Sequence, residues 1–427
     1  MLELLCAADL HLGRRPARLP PVDAGEHSAG AVWETAVEHA VRRGVAGVLL
    51  AGDVVDRANC FFEAFGPLER GARRLASAGI PLFAVTGNHD FDVLPRLADH
   101  VPAGAFHLLG TGGAWEERTL AVGGIPALRL AGWSFPAEHV RYSPLDAYRP
   151  EMSPGNLPVV GLLHCDLDVP GSVYGPVTGA SLRGAGPSAW VTGHVHRSRL
   201  ETGSGALLLN PGSPQPLDPG EAGPHGVWVL RLKRGAPLSA EMLPIATVRY
   251  DSIAVDLDGA LDAVDVRSRV LVGVRDHIDA VRGEGHTPVH LCCRVTLIGR
   301  CEVRGLRSLC REMASDTEVT EHAGVRARID DIALSTRPPV ELAALAQGAD
   351  APAQLARLLL ALESGAAHAL AAEALEAARR CHESVWWSGP FQAVANDPLP
   401  GGEVAREDVL RGCRALLEAL LAQREQA

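Results

Sequence analysis

The stretch LELLCAADLHLG (residues 2–13) decides how the start of the chain is interpreted. Apart from Glu3 its first seven residues are apolar, and a continuous apolar run of this length is typical of a strand buried on both faces. Asp9 and His11 follow the run directly. The stretch therefore predicts a buried strand that carries a carboxylate and an imidazole at its carboxyl end.

Three further apolar runs have the same character, namely VAGVLLA (45–51), PLFAVT (81–86) and LPVVGLL (157–163). The segments between the first three runs show apolar residues at helical spacing. Strands that alternate with helices in this way predict an α/β domain. Later runs punctuated by Gly and Pro, such as ALLLN (206–210), indicate additional strands.

Polar residues that can bind metal ions follow these runs in five short segments. The segments are ADLHLG (8–13), GDVVDR (52–57), GNHD (87–90), LLHCD (162–166) and GHVH (193–196). Ligands bind beyond the carboxyl ends of the strands in open α/β sheets, so all five segments are expected to project towards one edge of the sheet. One H-x-H pair could be two solvent-facing histidines of a strand, so the interpretation depends on the five segments together.

The five segments contain seven candidate metal ligands. They are Asp9, His11, Asp53, Asn88, His164, His194 and His196. Seven mixed nitrogen and oxygen donors exceed the needs of one tetrahedral zinc ion, and they suit two divalent ions that share a carboxylate. The donor types favour Mn, Fe or Zn over Ca or Mg. Two ions about 3.5–4 Å apart form a clamp for phosphoester hydrolysis.

The residue beside Asn88 is interpreted as the general acid. His89 cannot easily reach the same ion as its neighbour, so it is predicted to protonate the leaving oxygen. Asp56 is the candidate carboxylate that orients His89, and the alternative is a loop cap. Arg57 is predicted to hold a phosphate oxygen, and the alternative is a surface salt bridge.

Composition bounds the class of protein. The chain has 427 residues, which predicts two or three domains, and its net charge of −11 excludes a basic nucleic-acid coat. GRRPAR (13–18), with Arg14 and Arg15, is a candidate phosphate contact, and the alternative is a solvated loop.

The nine cysteines are scattered without a C-x-x-C, so structural zinc and a disulfide framework are not expected. The chain contains no apolar run long enough to span a membrane, and the N-terminus lacks the features of a signal peptide. We therefore expect a cytoplasmic protein without a membrane partner.

The pattern changes near residue 240. Residues 250–337 predict a small α+β domain, with strands at HLCCRVTLIG (290–299) and DDIALST (330–336). Residues 338–427 are rich in Ala, Leu and Glu and predict a helical region whose last helix runs from about 405 to 426. This helix either packs on its own core or forms a contact for a second subunit or a partner.

The order D-x-H, G-D-x-x-D-R, G-N-H-D, H and G-H-x-H resembles the calcineurin-like metallophosphoesterase superfamily. Within it, AADLHLG, GNHD, AGWSF (131–135) and the long stretch LNPGSPQPLDPGEAGPHGVWVL (209–230) resemble the SbcD-type DNA repair nucleases. The resemblance covers residues 1–235. It implies a metallophosphoesterase β-sandwich flanked by helices in residues 1–240, followed by a small capping domain in residues 250–337.

The resemblance also implies a role for each candidate residue. One ion is assigned to Asp9, His11, Asp53 and His196, and the other to Asp53, Asn88, His164 and His194. His89 becomes the catalytic histidine, with Asp56 as its partner. The residues that follow His164 in HCDLDVPG (164–171) are a departure from the motifs that carry the resemblance, which leaves the substrate contacts there open.

The activity implied by the resemblance is two-metal, manganese-preferring phosphodiester hydrolysis on DNA. The protein would be the repair exonuclease or endonuclease subunit of an assembly with an SbcC-type coiled-coil ATPase, and it would be a homodimer. Two alternatives stay open. One is a phosphodiesterase or phosphatase for a nucleotide or another small ester, and the other is a DNA-end-binding subunit that anchors the ATPase.

Overall fold

The computed structural model describes residues 1–427 except 20–22, 24, 57–60, 102–103, 150–156, 204, 234–236, 302, 316–319, 337–340, 387–401 and 427. The chain forms two compact units, each assembled from separate segments of sequence. The first unit contains Met1–Asp251, Val281–Cys292 and Ala323–Arg326, and the second contains Ser252–Ala280, Cys293–His322 and Ala327–Ala427. The contiguous domain boundaries expected from the sequence remain a prediction.

The first sheet of the molecule has six strands among the described residues. In spatial order they are β12 (Ser239–Pro244), β11 (Gly226–Leu232), β1 (Leu2–Ala7), β2 (Gly47–Ala51), β3 (Leu82–Val85) and β4 (His107–Leu108). Strands β1 to β4 are parallel, and β11 pairs with β1 in the antiparallel sense. The carboxyl ends of β1, β2 and β3 therefore lie side by side.

A second six-stranded sheet is built in a similar way. In spatial order its strands are β5 (Glu116–Val122), β6 (Ile125–Trp133), β7 (Val159–His164), β8 (Ala189–Gly193), β10 (Leu207–Asn210) and β9 (Arg199–Glu201). Strands β6, β7, β8 and β10 are parallel, and the two edge strands β5 and β9 run antiparallel to their neighbours. The two sheets form the mixed α/β sandwich that the family resemblance implies.

Alternation along β1 shows how an apolar run fills two layers of core. Leu4 and Cys6 are buried between the two sheets, whereas Leu5 and Ala7 belong to the core on the other face of the first sheet. Successive side chains of a strand point to opposite faces, so a strand covered on both sides needs apolar residues throughout. This requirement accounts for the continuous runs in the sequence.

Helices α1 (Ala29–Arg43) and α2 (Phe61–Ser77) supply the outer layer on that face. The side chain of Ser28 caps α1 by accepting a hydrogen bond from the backbone N–H of Ala31, and Gly44 ends the helix at a φ of 62°. The buried indole N–H of Trp33 donates to the carbonyl oxygen of Pro67 and joins the two helices. Two short helices, α3 (Leu94–Ala98) and α4 (Gly179–Gly184), follow β3 and β7.

The rest of the chain forms a third sheet and a group of helices. In spatial order this sheet contains β13 (Val248–Asp256), β14 (His290–Ile298), β16 (Val325–Leu334) and β15 (Thr320–His322). The helices are α5 (Ala263–Gly283), α6 (Leu306–Ser315), α7 (Leu342–Leu345), α8 (Ala351–Ser364), α9 (Ala369–Trp386) and α10 (Gly402–Gln426). Leu355, Leu359 and Leu417 pack α10 against α8, so part of the apolar stripe of the last helix lies in a local core.

A helix that spans a membrane has to be both long and apolar. No single helix of the described residues meets both requirements. Only the pair Ala351–Ser364 and Ala369–Val385, taken together across a bend of 70°, passes by length and composition.

Candidate metal centre

The five predicted segments come together, but not at the edge of a single sheet. Three follow β1, β2 and β3 of the first sheet, and two follow β7 and β8 of the second. The expectation of one open sheet is therefore wrong in this detail. The parallel strands of both sheets end at the same place, so the two sheets contribute loops to one centre.

The backbone of these loops is left-handed at four residues other than glycine. The φ angles are 51° at Asp9, 45° at His11, 47° at Asp53 and 101° at His194. Such angles are uncommon for residues with a side chain. The backbone N–H of Asp9 donates to the carbonyl of Gly52 (3.1 Å), and the N–H of His11 donates to that of Asp53 (3.0 Å). These bonds hold the two loops against each other.

Glycines directly precede three of the predicted ligands, Asp53, Asn88 and His194, and leave room for the neighbouring loops. A Cβ atom on Gly52 would lie 2.5 Å from Nδ1 of His164, and one on Gly87 would lie 2.2 Å from Oδ1 of Asp53. A Cβ atom on Gly193 would lie 2.1 Å from the carbonyl oxygen of Ala51. All three distances are below van der Waals contact, so the glycines of G-D, G-N-H and G-H permit the close approach of the ligands.

One cluster of donor atoms contains Asp9, His11 and His196, whose ligand atoms lie within 4.8 Å of one another. The Nε2 atoms of His11 and His196 are 3.0 Å apart. The Asp9 carboxylate accepts hydrogen bonds from the backbone N–H of His194, at 3.0 and 3.1 Å. These contacts fix the carboxylate beside the two imidazoles.

A second cluster contains Asp53, His164 and His194, again within 4.8 Å. Oδ1 of Asn88 lies 3.1 Å from both Nε2 of His164 and Nδ1 of His194. Oδ2 of Asp53 lies 3.4 Å from Nε2 of His164.

A further cluster joins His11 to Asp56 and His89. The structure thus brings all seven predicted ligand residues together, with Asp53 in the second cluster and not in the first. Their roles as ligands stay predictions.

The hydrogen bonding of His164 shows that this place favours a cation. Its Nδ1 lies 2.9 Å from the carbonyl oxygen of Ala51, which can only accept, so Nδ1 carries a proton. Its Nε2 then faces the oxygens of Asn88 and Asp53, where only a second proton or a metal ion relieves the repulsion between lone pairs. Burial alone would lower the pKa of His164, but the nearby Asp53 carboxylate raises it to about 9.

The same reasoning applies to His196. Its Nδ1 lies 2.7 Å from Oε1 of Glu221, so the ring N–H donates to the carboxylate and Nε2 is left to face the cluster. Burial opposes a charge on His196, yet the hydrogen bond to Glu221 raises the pKa of the imidazole to about 9. The donor set of imidazole, carboxylate and amide groups fits two divalent ions such as Mn, Fe or Zn.

His89 lies at the margin of the centre and is more accessible than the ligand residues. Its side chain is 42% exposed, and Nδ1 lies 3.7 Å from Oδ1 of Asp56. The pairing with Asp56 raises the pKa of His89, although burial acts in the opposite direction. The ring of His89 is perpendicular to that of His11, with the ring centroids 5.0 Å apart. This position suits a group that exchanges a proton with a substrate.

The predicted phosphate-binding arginines differ in their surroundings. Nε of Arg14 lies 3.2 Å from Oδ2 of Asp56, so the carboxylate interacts with Arg14 as well as with His89. Arg15 is exposed. Arg57 lies outside the described residues. The structure therefore places Arg14 at the centre and adds an ion pair that the sequence did not predict.

Three carboxylates near the ligands were not predicted. Asp90 accepts hydrogen bonds from the backbone N–H groups of Val54, Val55 and Gly87, which ties the second loop to the third. Burial and the charge of Asp53 raise the pKa of Asp90 to about 7. Glu221 contacts His196, and Asp166 contacts His194. Asp90 is the last residue of the G-N-H-D segment, and its place in that motif is the sequence feature that could have identified it as part of the centre.

Comparison with known proteins relates this centre to a family. The family model described as calcineurin-like phosphoesterase matches residues 2–198, which contain all five segments. The protein described as uncharacterized metallophosphoesterase YhaO, from Bacillus subtilis (strain 168), is 28% identical over 308 residues, which cover 70% of this chain and 72% of that protein.

Solved structures also resemble part of the chain. The protein TT1561 of Thermus thermophilus gives a TM-score of 0.37 at 16% identity, over 56% of this chain and 98% of that one. A dimetal phosphatase from Danio rerio gives a TM-score of 0.36 at 14% identity, over 56% of this chain and 98% of that one.

Proposed function

We propose that the protein, whose residues 2–198 match the family model described as calcineurin-like phosphoesterase, is a two-metal phosphodiesterase that acts on DNA. The observation that carries the proposal is the convergence of seven nitrogen and oxygen donors, in two groups, beside a histidine paired with a carboxylate. When bound, the two ions would activate water and neutralise charge on the phosphoryl oxygens.

The side chains of the centre have separate tasks in this proposal. Asp9, His11, Asp53 and His196 would hold one ion, and Asp53, Asn88, His164 and His194 the other. His89 would donate a proton to the leaving oxygen, and Asp56 would keep its imidazole protonated and oriented. Arg14, which shares Asp56 with His89, would place a phosphate oxygen beside the ions.

Access to the centre supports a large substrate. His89 is 42% exposed, whereas Asp9, Asp53 and His164 are almost completely buried, so the leaving-group side opens to solvent. The half-buried Arg14 pairs with Asp56 beside this opening, and the next residue, Arg15, is exposed. Both arginines are candidates for contacts with a phosphate backbone. The motifs AADLHLG and GNHD, which resemble those of SbcD-type nucleases, support DNA as that substrate.

The net charge of −11 favours the second candidate, a phosphodiesterase or phosphatase for a small ester. A DNA-binding protein of this charge needs help to offset the repulsion between its surface and the phosphates. We propose that an SbcC-type coiled-coil ATPase supplies this help, and that the assembly contains a dimer of this chain and prefers manganese. The C-terminal helices expose Leu370, Val404 and Leu416, which supports a contact there.

The test compares two substrates with and without manganese. End-labelled linear duplex DNA and a chromogenic phosphodiester are each incubated with the protein and with His89→Asn. We expect manganese-dependent degradation of DNA, lowered about 10²- to 10⁴-fold in the variant, with its metal content unchanged. Cleavage of the chromogenic ester alone would favour the small-ester enzyme, unless adding the ATPase restores cleavage of DNA. DNA degradation unaffected by His89→Asn would contradict the assigned role of His89.

The third possibility is a DNA-end-binding subunit with secondary hydrolysis. It predicts that DNA repair in cells survives the loss of His89, whereas the enzyme predicts a severe defect. Complementation of a deletion strain with His89→Asn therefore separates the two.

A further inference from the structure

Three of the predicted ligand histidines have one ring nitrogen that faces away from the donor clusters. For His164 this nitrogen meets a backbone carbonyl, as described above. For His194 it meets Asp166, and for His196 it meets Glu221. His194 and His196 thus each have a carboxylate of their own on the side opposite the cluster.

Glu221 is held firmly by its surroundings. While Oε1 accepts from His196 at 2.7 Å, Oε2 accepts from the hydroxyl of Ser213 (3.0 Å) and from the backbone N–H of Leu217 (3.0 Å). The Glu221 side chain is only 12% exposed. A buried carboxylate with its hydrogen bonds satisfied on both oxygens keeps one position, and it therefore fixes the imidazole that it contacts.

Asp166 is held in a similar way. One oxygen, Oδ2, accepts a hydrogen bond from the hydroxyl of Ser172, and the backbone N–H of Asp166 donates to the carbonyl of Tyr174. The other oxygen, Oδ1, is buried and lies 3.4 Å from Nε2 of His194. Asp166 lies in the stretch 164–171 for which the sequence offered no role.

We propose that Asp166 and Glu221 are positioning residues, one for each of the two metal ions. Glu221 would orient His196 towards the ion shared with Asp9 and His11, and Asp166 would orient His194 towards the ion shared with Asp53, Asn88 and His164. The affinities of the two ions are then set separately. This inference rests on the proposed two-metal function.

The physical reason is a hydrogen bond from the imidazole to the carboxylate, which Glu221 accepts from His196 at 2.7 Å. Oδ1 of Asp166 lies 3.4 Å from Nε2 of His194 and accepts no hydrogen bond from the described residues, so for Asp166 this bond is itself part of the proposal. A carboxylate that accepts from one ring nitrogen fixes the tautomer, so the lone pair of the other nitrogen points at the metal, and it makes that nitrogen more basic. Loss of such a partner lowers metal affinity roughly 10- to 100-fold. We expect a larger loss of metal affinity on substitution of Glu221 than of Asp166. The Glu221 carboxylate lies 2.7 Å from its histidine, whereas that of Asp166 lies 3.4 Å from its own.

The experiment titrates the metal-free full-length protein with Co²⁺ and follows both the stoichiometry and the visible absorption spectrum. Glu221→Gln and Asp166→Asn are each expected to retain one tight binding step and to weaken the other about 10- to 100-fold. The double variant decides the question. If the residues act on different ions, both of its steps are weak, and the one-ion spectra of the two single variants differ.

A double variant that retains one tight step would overturn the proposal, as would single variants that bind both ions normally. Glu201→Gln is the matched control, because Glu201 pairs with Arg183 and Arg199 instead of with a histidine. Failure of the unchanged protein to bind Co²⁺ would refute the proposed function itself, and it is a separate result from any difference among variants.

Milder variants cover the case in which a charge-removing variant does not fold. Ser213→Ala removes one hydrogen bond from Glu221, and Ser172→Ala removes one from Asp166. Neither variant changes a charge. Each is expected to weaken one binding step severalfold, and their combination is expected to weaken both. Equal and normal binding in these two variants would also count against the proposal.

Discussion

At the scale of single residues, Asp53 is the one predicted ligand that is assigned to both ions. Its Oδ1 accepts from the backbone N–H of His89 (2.9 Å), and its Oδ2 faces His164. The positive charge favoured at His164 keeps the pKa of Asp53 well below its usual range, despite the opposing effect of burial. Asp53 is thus an anion held beside His164 and His89, and its sharing by both ions is a prediction.

Asp53→Asn is therefore expected to weaken metal binding more than about 100-fold, since loss of a residue that only orients a ligand already costs about 10- to 100-fold. Hydrolysis should be lost with the metal. Elemental analysis after dialysis and an assay with the chromogenic ester measure both effects. Asp99→Asn, at an exposed aspartate, is the control. An Asp53→Asn protein with two bound ions and normal turnover would refute the shared-ligand assignment.

Asp56 gives a prediction for pH dependence. A general acid must be protonated, and the pairing with Asp56 raises the pKa of His89, so the active form persists to a higher pH. Asp56→Asn is expected to lower that pKa and to shift the alkaline limb of the kcat/KM profile towards lower pH. An alkaline limb that stays in place would show that another group controls it.

Functional residues that directly follow a strand could be predicted from the sequence. Residues that reach the centre from distant parts of the chain could not. Asp9, Asn88 and His164 each follow an apolar run, so one local pattern suffices to find them. Glu221 reaches His196 across 25 residues of chain, and no local pattern records such a contact. Arg14 was found, but its pairing with Asp56 depends on how two loops pack.

At the scale of elements, strand β8 approaches β2 closely because Gly193 has no side chain. Gly193→Ala would place a Cβ atom 2.1 Å from the carbonyl oxygen of Ala51. The clashing atom belongs to the backbone, which cannot change rotamer as a side chain can, so the end of β8 must move to relieve the clash. We expect a loss of stability of about 1–3 kcal/mol and a large loss of activity, because His194 is the next residue.

Thermal or urea unfolding and the chromogenic assay measure these effects. Gly184→Ala is the matched control, since a Cβ atom there would meet nothing within 4 Å. Equal stability of the two variants would mean that the sheets can separate at this point without cost.

Strands could be predicted from the sequence more readily than their pairing. The run ALLLN (206–210) contains β10, and LPVVGLL (157–163) overlaps β7. An apolar run indicates burial on both faces, but it does not identify the neighbouring strand. The run at 2–8 pairs with β11, more than 200 residues away, and the division of the strands between two sheets is decided by that pairing.

At the scale of the whole molecule, metal binding is expected to stabilise the first unit. The predicted ligands come from loops of both sheets, so each ion would join segments that are far apart in sequence. At a metal concentration of roughly 100 times Kd, one ion adds about 2.7 kcal/mol if it binds only the folded state. This corresponds to a rise in Tm of about 5–10 °C.

Differential scanning calorimetry with manganese and with a chelator measures this shift. Asp53→Asn should abolish it, whereas Asp99→Asn should not. An identical Tm with and without metal, at concentrations that saturate hydrolysis, would contradict a centre that links the two sheets.

The left-handed backbone at Asp9, His11, Asp53 and His194 has a consequence for protein engineering. Each such conformation costs of the order of 1–3 kcal/mol for a residue with a side chain. A library screened only for heat resistance would therefore tend to replace these residues by glycine, which adopts the same angles freely. Such a screen would enrich thermostable variants that have lost their predicted metal ligands and therefore their activity. Selection for thermostability in this fold has to include a selection for turnover.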